Sequence, residues 1–506
     1  MRVPLKSLHA FIALCLSLVL TLPASAAEWL RADTPNFVIY SDGYPHEVTR
    51  WAKRVEMLDA LLRVRFDKPG PRKGTKLTIY MVENSNAVER LTGRKNLHGL
   101  YSPSSEGSFA ITHRKLAYYD NQLSGQMTLF HEYAHHFMFR NFPSAYPAWY
   151  REGFAEFVST VEFDIDGAAT FGLPSGYRAK HLRKSPPPME KLLLADVGNI
   201  KPKVRAPFYA WSWLLVHMLN SDPARAAQLR DYLARFAAGA GPEQAAGAFG
   251  DLHALERSLE AYSKQRPQAL EKYPPIAAET EIKVTALGPL GSELVELGLE
   301  RRLGKNLSRS VDRLSDLAGR YPHSADVWVE LARAERDIAK REAKPDFDRA
   351  EAMVDRALAL ASDNSDARVL KAEFTFERML RNSSGTPADW LTTRRQLAAT
   401  LEDDLDNAEG LMALFQSHIM ERTPPSQGAF MAMERAFHLQ PESKEIRLSY
   451  AISLALQGQY DRAKKVIRVL SSDPHAPGLG QRTLVKLEQM EAAAKGRTPQ
   501  QRVAPD

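Results

Sequence analysis

The run "TLFHEYAHHFMF" (128–139) sets His131 and His135 four residues apart, with Glu132 between them. On a helix, side chains at i and i+4 leave the same face, so both imidazoles can meet one ion. Glu132, turned about 100° from His131, reaches a water on that ion and not the ion itself. Two ligands and a carboxylate base are the parts of a metal-assisted hydrolase. Having no cysteine near it, the site would have to complete its ligand set with His, Glu or Asp. A catalytic zinc takes three protein ligands and leaves a fourth position to water. The sequence offers Glu152, in "WYREGFAEF" (149–157), as the third. The chain between His135 and Glu152 is long enough to end one helix, turn at "NFPSAYP" and run a second helix back alongside. Glu156, one turn further on, can accept the free ring N–H of a ligating histidine. His136 points about 100° away from its neighbour and reads as packing. His98, His113 and His217 have no partner spacing and read as structural.

The elements that must position these residues are legible in part. "NFVIYSDG" (36–43), "KLTIYMVE" (76–83) and "GSFAITH" (107–113) read as strands, and Val48, Trp51, Val55, Leu58, Leu61 and Leu62 mark a helix after the first. That order predicts a small mixed sheet with helices on one face. "HGLYSPSSEGS" reads as a loop. Asp120 is the cap candidate for a helix carrying Leu123, Met127, Phe130, Ala134 and Phe137, and Pro143 follows its end. Pro147 opens a second helix, and "APFYAWSWLLVHML" (206–219), apolar nearly all round, predicts a buried third. Beyond about residue 280 helix pairs recur. "FDRAEAMVDRALALASDN" and "GQYDRAKKVIRVLSSDP" share a spacing of aromatic, Arg-Ala, then apolar, which "LSRSVDRLSDLAGRYP" follows more weakly. They resemble tetratricopeptide repeats over about 290–476, with Ala350 and Ala463 at the small consensus position and Trp328, Ala332, Ala451 and Tyr460 at others.

The histidine motif followed by "WYREGFAE" (Trp149–Glu156) resembles the gluzincin peptidases, most closely the bacterial peptidase MA-like group. The resemblance covers about residues 120–160. It implies Glu152 as zinc ligand and Glu132 as general base. It also implies an oxyanion donor from a later helix, for which Tyr209 in "PFYAWSW" is the candidate, a purely core role remaining open. Gluzincins bind the substrate backbone along an edge strand, which by position would be Ser108–Thr112; a plain sheet strand is the other reading.

The first 26 residues pair Arg2 and Lys6 with the apolar run "LHAFIALCLSLVLTL" and the small residues "ASA", as a cleaved secretory signal does. Cys15 lies within that run and is the only cysteine, which excludes thiolate metal sites and cysteine nucleophiles from the mature chain. The formal charge of +6 falls by two when Arg2 and Lys6 leave, too mild and dispersed a balance for a nucleic-acid partner. A hydrophobic fraction of 44% with 25% charged residues excludes general disorder.

The expected fold is therefore an α+β metallopeptidase domain, a small mixed sheet with zincin helices, followed by an all-α helical-repeat domain. The boundaries are a signal peptide at 1–26, the peptidase domain at 27–275, a linker at 276–290, repeats at 291–490 and a disordered tail at 491–506. The expected function is an exported, periplasmic or secreted zinc peptidase whose repeats recruit substrate or a protein partner. The alternative is a non-catalytic scaffold in which the metal domain is structural or inactive. No membrane span is expected after signal cleavage.

Overall fold

The computed structural model describes residues 28–68, 74–117, 119, 121–142, 144–183, 185–195, 200–265, 267–278, 281–471 and 478–496. The signal expected at 1–26, Asp120, Pro143 and the tail beyond 496 lie outside them. The strands are β1 (Leu30–Asp33), β2 (Phe37–Ser41), β3 (Leu77–Val82), β4 (Leu100–Ser102), β5 (Phe109–His113), β6 (Glu162–Phe163), β7 (Ala169–Phe171), β8 (Glu271–Tyr273) and β9 (Lys283–Ala286). Six of them form a mixed sheet in the order β4-β5-β3-β2-β1-β9, and β6, β7 and β8 form a small antiparallel sheet. β3 is parallel to β2 and β5, whereas β4 and β9 close the two edges antiparallel to their neighbours.

Side chains on β3 alternate between two cores. Leu77, Ile79 and Met81 face a core shared with helices α1 (Pro45–Arg65), α3 (Gly125–Asn141), α4 (Ala148–Ser159) and α5 (Pro202–Asn220); α2 (Ser85–Thr92) lies on the other side. Tyr80 and Val82 join Trp29, Val88, Phe109, Ile111 and Leu299 on that second face. Burial on both faces explains why "LTIYMV" is apolar almost throughout.

Two expectations are corrected here. Helices cover both faces of the sheet, not one, because Leu299 of α6 (Gly288–Arg302) packs on the face opposite α1 and α3. The stretch 276–290, expected as a linker, carries β9. It pairs Leu30 with Ala286 and Asp33 with Lys283, giving hydrogen-bond partners to an edge that β1 would otherwise leave open.

After α6 come α7 (Leu307–Arg320), α8 (Ala325–Ala339), α9 (Asp348–Leu360), α10 (Ser365–Asn382), α11 (Pro387–Asp403), α12 (Ala408–Glu421), α13 (Gln427–Leu439), α14 (Lys444–Leu456), α15 (Tyr460–Ser471) and α16 (Leu479–Lys495). Successive helices pack against each other, and Ala332, Ala350, Ala451 and Ala463 are buried where small side chains let paired helices approach. The tail expected to be disordered from 491 is helical as far as Lys495. Among the described residues no helix is long and apolar enough to cross a membrane.

The array does not stand apart from the sheet. The loop joining β4 to β5 inserts Glu106 among arginines of α6 and α8: Arg301 Nη2 approaches its carboxylate at 2.6 Å, and Arg336 also donates to it. Arg302 lies over the Phe109 ring at 4.6 Å and donates to the Gly107 carbonyl. Further along, Ser108 donates to Glu442 at 3.1 Å, and the Gln440 amide oxygen accepts from the Thr75 hydroxyl at 2.8 Å. Part of the surface expected to recruit a partner is thus occupied by the chain's own loop.

Candidate metal centre

Helix α3 begins at a cap supplied by Ser124, whose hydroxyl accepts the Met127 N–H at 3.0 Å. Gly125 follows because a Cβ there would lie 2.0 Å from the His113 carbonyl oxygen, so the helix is seated directly on the end of β5. Helix α4 starts after Pro147 and packs on α5 through Gly153, where a Cβ would lie 2.5 Å from the Ser212 carbonyl oxygen. These two close approaches fix the antiparallel pair α3 and α4 in depth.

His131, His135 and Glu152 converge. The two Nε2 atoms are 3.2 Å apart, and each stands 3.7 Å from Glu152 Oε2. Ligand atoms about 2.0–2.2 Å from a tetrahedral ion are about 3.3–3.6 Å apart, so this triangle matches one face of such a site. A metal ion can be held there by these three side chains, the one such group of three found among the described residues.

The other site residues lie where each can act on that triangle. His131 Nδ1 is 3.3 Å from Glu156 Oε1, which holds the ring with its N–H outward and leaves Nε2 for the ion. Arg178 grips Glu156 with two N–H groups, one at 2.8 Å. Burial alone would raise Glu156, but Arg178 and His131 hold it well below the usual carboxylate range. Burial lowers His131 as well, yet Glu156, Glu132 and Glu152 outweigh that and carry it to about 9. Three carboxylates around one imidazole make this a centre that favours a cation.

Glu132 is buried beside the triangle, accepts the Tyr101 backbone N–H, and is pushed up to about 7 by burial, with Glu152 adding to the rise against His131. Its room comes from Gly99, where a Cβ would stand 2.6 Å from Glu132 Oε1. The Tyr209 ring is 6.3 Å from the His131 ring, and the Arg178 guanidinium lies 5.4 Å from its centroid.

Three of the other histidines are engaged elsewhere. His136 meets the Tyr101 hydroxyl at 3.2 Å, His113 meets Thr128 at 3.4 Å, and His217 lies 2.8 Å from both the Tyr262 hydroxyl and the Gly172 carbonyl. His98 is partly buried, and burial lowers it.

The edge strand is not where the sequence reading put it. β3 pairs with Phe109–His113 on one side and β4 covers Phe109–Ile111 on the other, so most of this strand is not an edge. The edge is Leu100–Ser102, inside the stretch read as a loop, and Gly99 to Pro103 line the metal cleft. That cleft, a cavity of ≈ 610 Å³, also takes in Arg205 and, from the helical array, Glu442, Lys444 and Arg447. A larger cavity of ≈ 1060 Å³ opens at the other end of α3, around Gln126, Met127 and Trp213, and contains none of the triad.

Sequence reasoning missed Arg178, which sits in a four-residue helix with no periodicity, and the whole contribution of the array, which no local spacing signals. Arg178→Met should weaken metal binding by about 10–100-fold, read by competition with a chromophoric chelator, because Glu156 then loses the partner that orients it toward His131. Unchanged affinity would show that Glu156 holds the ring unaided. No protein-family model matches this chain, and no curated protein matches it.

Proposed function

We propose that the protein is an exported zinc peptidase of the gluzincin type, with His131, His135 and Glu152 as ligands and Glu132 as general base. The observation that carries this is the triangle of two Nε2 atoms and one carboxylate oxygen, with a second carboxylate buried at its side. When bound, zinc supplies a Lewis acid that polarises the scissile carbonyl and acidifies a water. Glu132 takes the proton of the attacking water and delivers it to the leaving amine. Tyr209 donates its hydroxyl to the oxyanion that forms on the carbonyl. The free side of Leu100–Ser102 runs beside the cleft, where an extended peptide can lie against the Tyr101 C=O, the Tyr101 N–H being engaged by the base. The tetratricopeptide-like array walls the cleft and presents substrate.

Zinc content of the purified chain and hydrolysis of an unfolded protein, before and after a chelator and again after zinc is restored, test this reading. Activity that disappears and returns with the metal supports it. Stoichiometric zinc with no hydrolysis of any peptide leaves the helical array as the working part. Tyr209→Phe should lower kcat by about 10²–10³ with KM little changed. Parent-like kcat would return Tyr209 to the core.

A further inference from the structure

Arginine and lysine dominate the wall of the metal cleft. Seven of these residues line it against three glutamates, and two of the three, Glu132 and Glu152, belong to the metal chemistry. Arg447 is only 1% exposed, yet its described hydrogen bonds go to the carbonyls of Pro441 and Val466, and its guanidinium covers the Phe437 ring at 5.4 Å. Arg302 likewise bonds the carbonyls of Glu106 and Gly107 and covers Phe109. Carbonyl oxygens and ring faces position a guanidinium without cancelling its charge, although at Arg447 the nearby Glu442 carboxylate offsets part of it. The third glutamate, Glu442, is shared between Arg140 and Ser108. Arg205, one turn before Tyr209 on α5, and Arg94 and Lys95 complete the cationic lining at its more exposed side. A concave surface of one sign with low-dielectric walls focuses its field on the ligand.

We propose that this cleft selects peptides carrying a carboxylate close to the scissile bond, either an acidic side chain or the free C-terminus, and that α14 of the helical array supplies part of the recognition through Lys444 and Arg447. Cleavage of such a peptide rests on the peptidase reading; its preferential binding does not.

Binding is measured with the full chain carrying Glu132→Gln and loaded with zinc. The probes are short peptides labelled with an uncharged dye, identical except for Glu against Gln at two positions and for a free against an amidated C-terminus. The carboxylate-bearing peptides should bind at least about tenfold tighter at low ionic strength, with the gap closing toward about 1 M salt as screening sets in. The Glu/Gln pair and the free/amidated pair separately identify which carboxylate is read. Arg205→Glu and Lys444→Glu, both on partly exposed side chains, should each reduce that preference several-fold with zinc content unchanged. Equal affinity for charged and uncharged peptides, or a preference untouched by both reversals, overturns the proposal. Acidic peptides that bind selectively but are never cut by the parent would sink the peptidase reading and leave this one standing. Uncharged peptides that are bound and cut equally well would do the reverse.

Discussion

Glu132→Gln should keep its zinc and lose about 10²–10⁴-fold in kcat, the range a positioned general base supplies. Glutamine has the same shape, and its carbonyl can still accept the Tyr101 N–H that Glu132 accepts, so the fold of the cleft has no reason to change. What it cannot do is take a proton from water. The three side chains that could hold the ion, His131, His135 and Glu152, are untouched. Elemental analysis alongside steady-state kinetics separates this outcome from His135→Ala, which should lose both metal and activity. A Glu132→Gln enzyme with full zinc and parental turnover would remove Glu132 from the mechanism.

Glu106→Ala should destabilise the folded chain by about 3 kcal/mol, the lower end of what breaking a buried ion pair costs, because both arginines keep other acidic neighbours. Arg301 retains Glu330 and Asp337, and Arg336 retains Glu409. Burial would raise the Glu106 carboxyl, but Arg336, Arg301 and Arg333 hold it well below its ordinary value of 4.5. A depressed carboxylate contributes stability that is fully present above the unfolded value and is lost as pH falls through the folded one. The difference between parent and variant in urea unfolding should therefore stay constant from neutral pH down to about that value of 4.5 and shrink below it. A difference under about 1 kcal/mol, or one that persists undiminished in strong acid, would show that the clasp contributes little. Since the Glu106 loop joins β4 to β5, the variant should also lose kcat/KM while retaining zinc.

The metal centre was more legible in the sequence than its surroundings. His131 and His135 are related by helical geometry alone, and Glu152 and Glu156 sit one turn apart on a helix that Gly153 brings close to α5. Such relations are local, so spacing reveals them. The strands Phe37–Ser41, Leu77–Val82 and Phe109–His113 lie inside the runs read as strands because they alternate or run apolar. By contrast Leu100–Ser102 has three residues, too few for a period, and borders a Pro, Ser and Gly stretch that reads as a turn. Lys283–Ala286 is mostly exposed, so no apolar pattern marks it; only pairing with β1 makes it a strand. Glu106 owes its position to Arg301 and Arg336, 195 and 230 positions along the chain, and Arg178 is held by Glu156, 22 positions back. Asp120, the expected cap, falls outside the described residues, and Ser124 holds the position.

The pairing of the chain's beginning with the start of the helical array sets an order of events during synthesis. Trp29 donates its backbone N–H to Ser292, a partner 263 positions away, and β1 waits for β9 over nearly the same span. At about 5–20 residues per second, the first strand stays without that neighbour for roughly 10–50 s. Trp29 and the part of the apolar face around Tyr80 and Phe109 that α2 does not cover wait for Leu299 of α6. A ribosome stalled or a gene truncated before that point would release a fragment with a sticky sheet and an incomplete edge, a ready substrate for chaperones and for self-association.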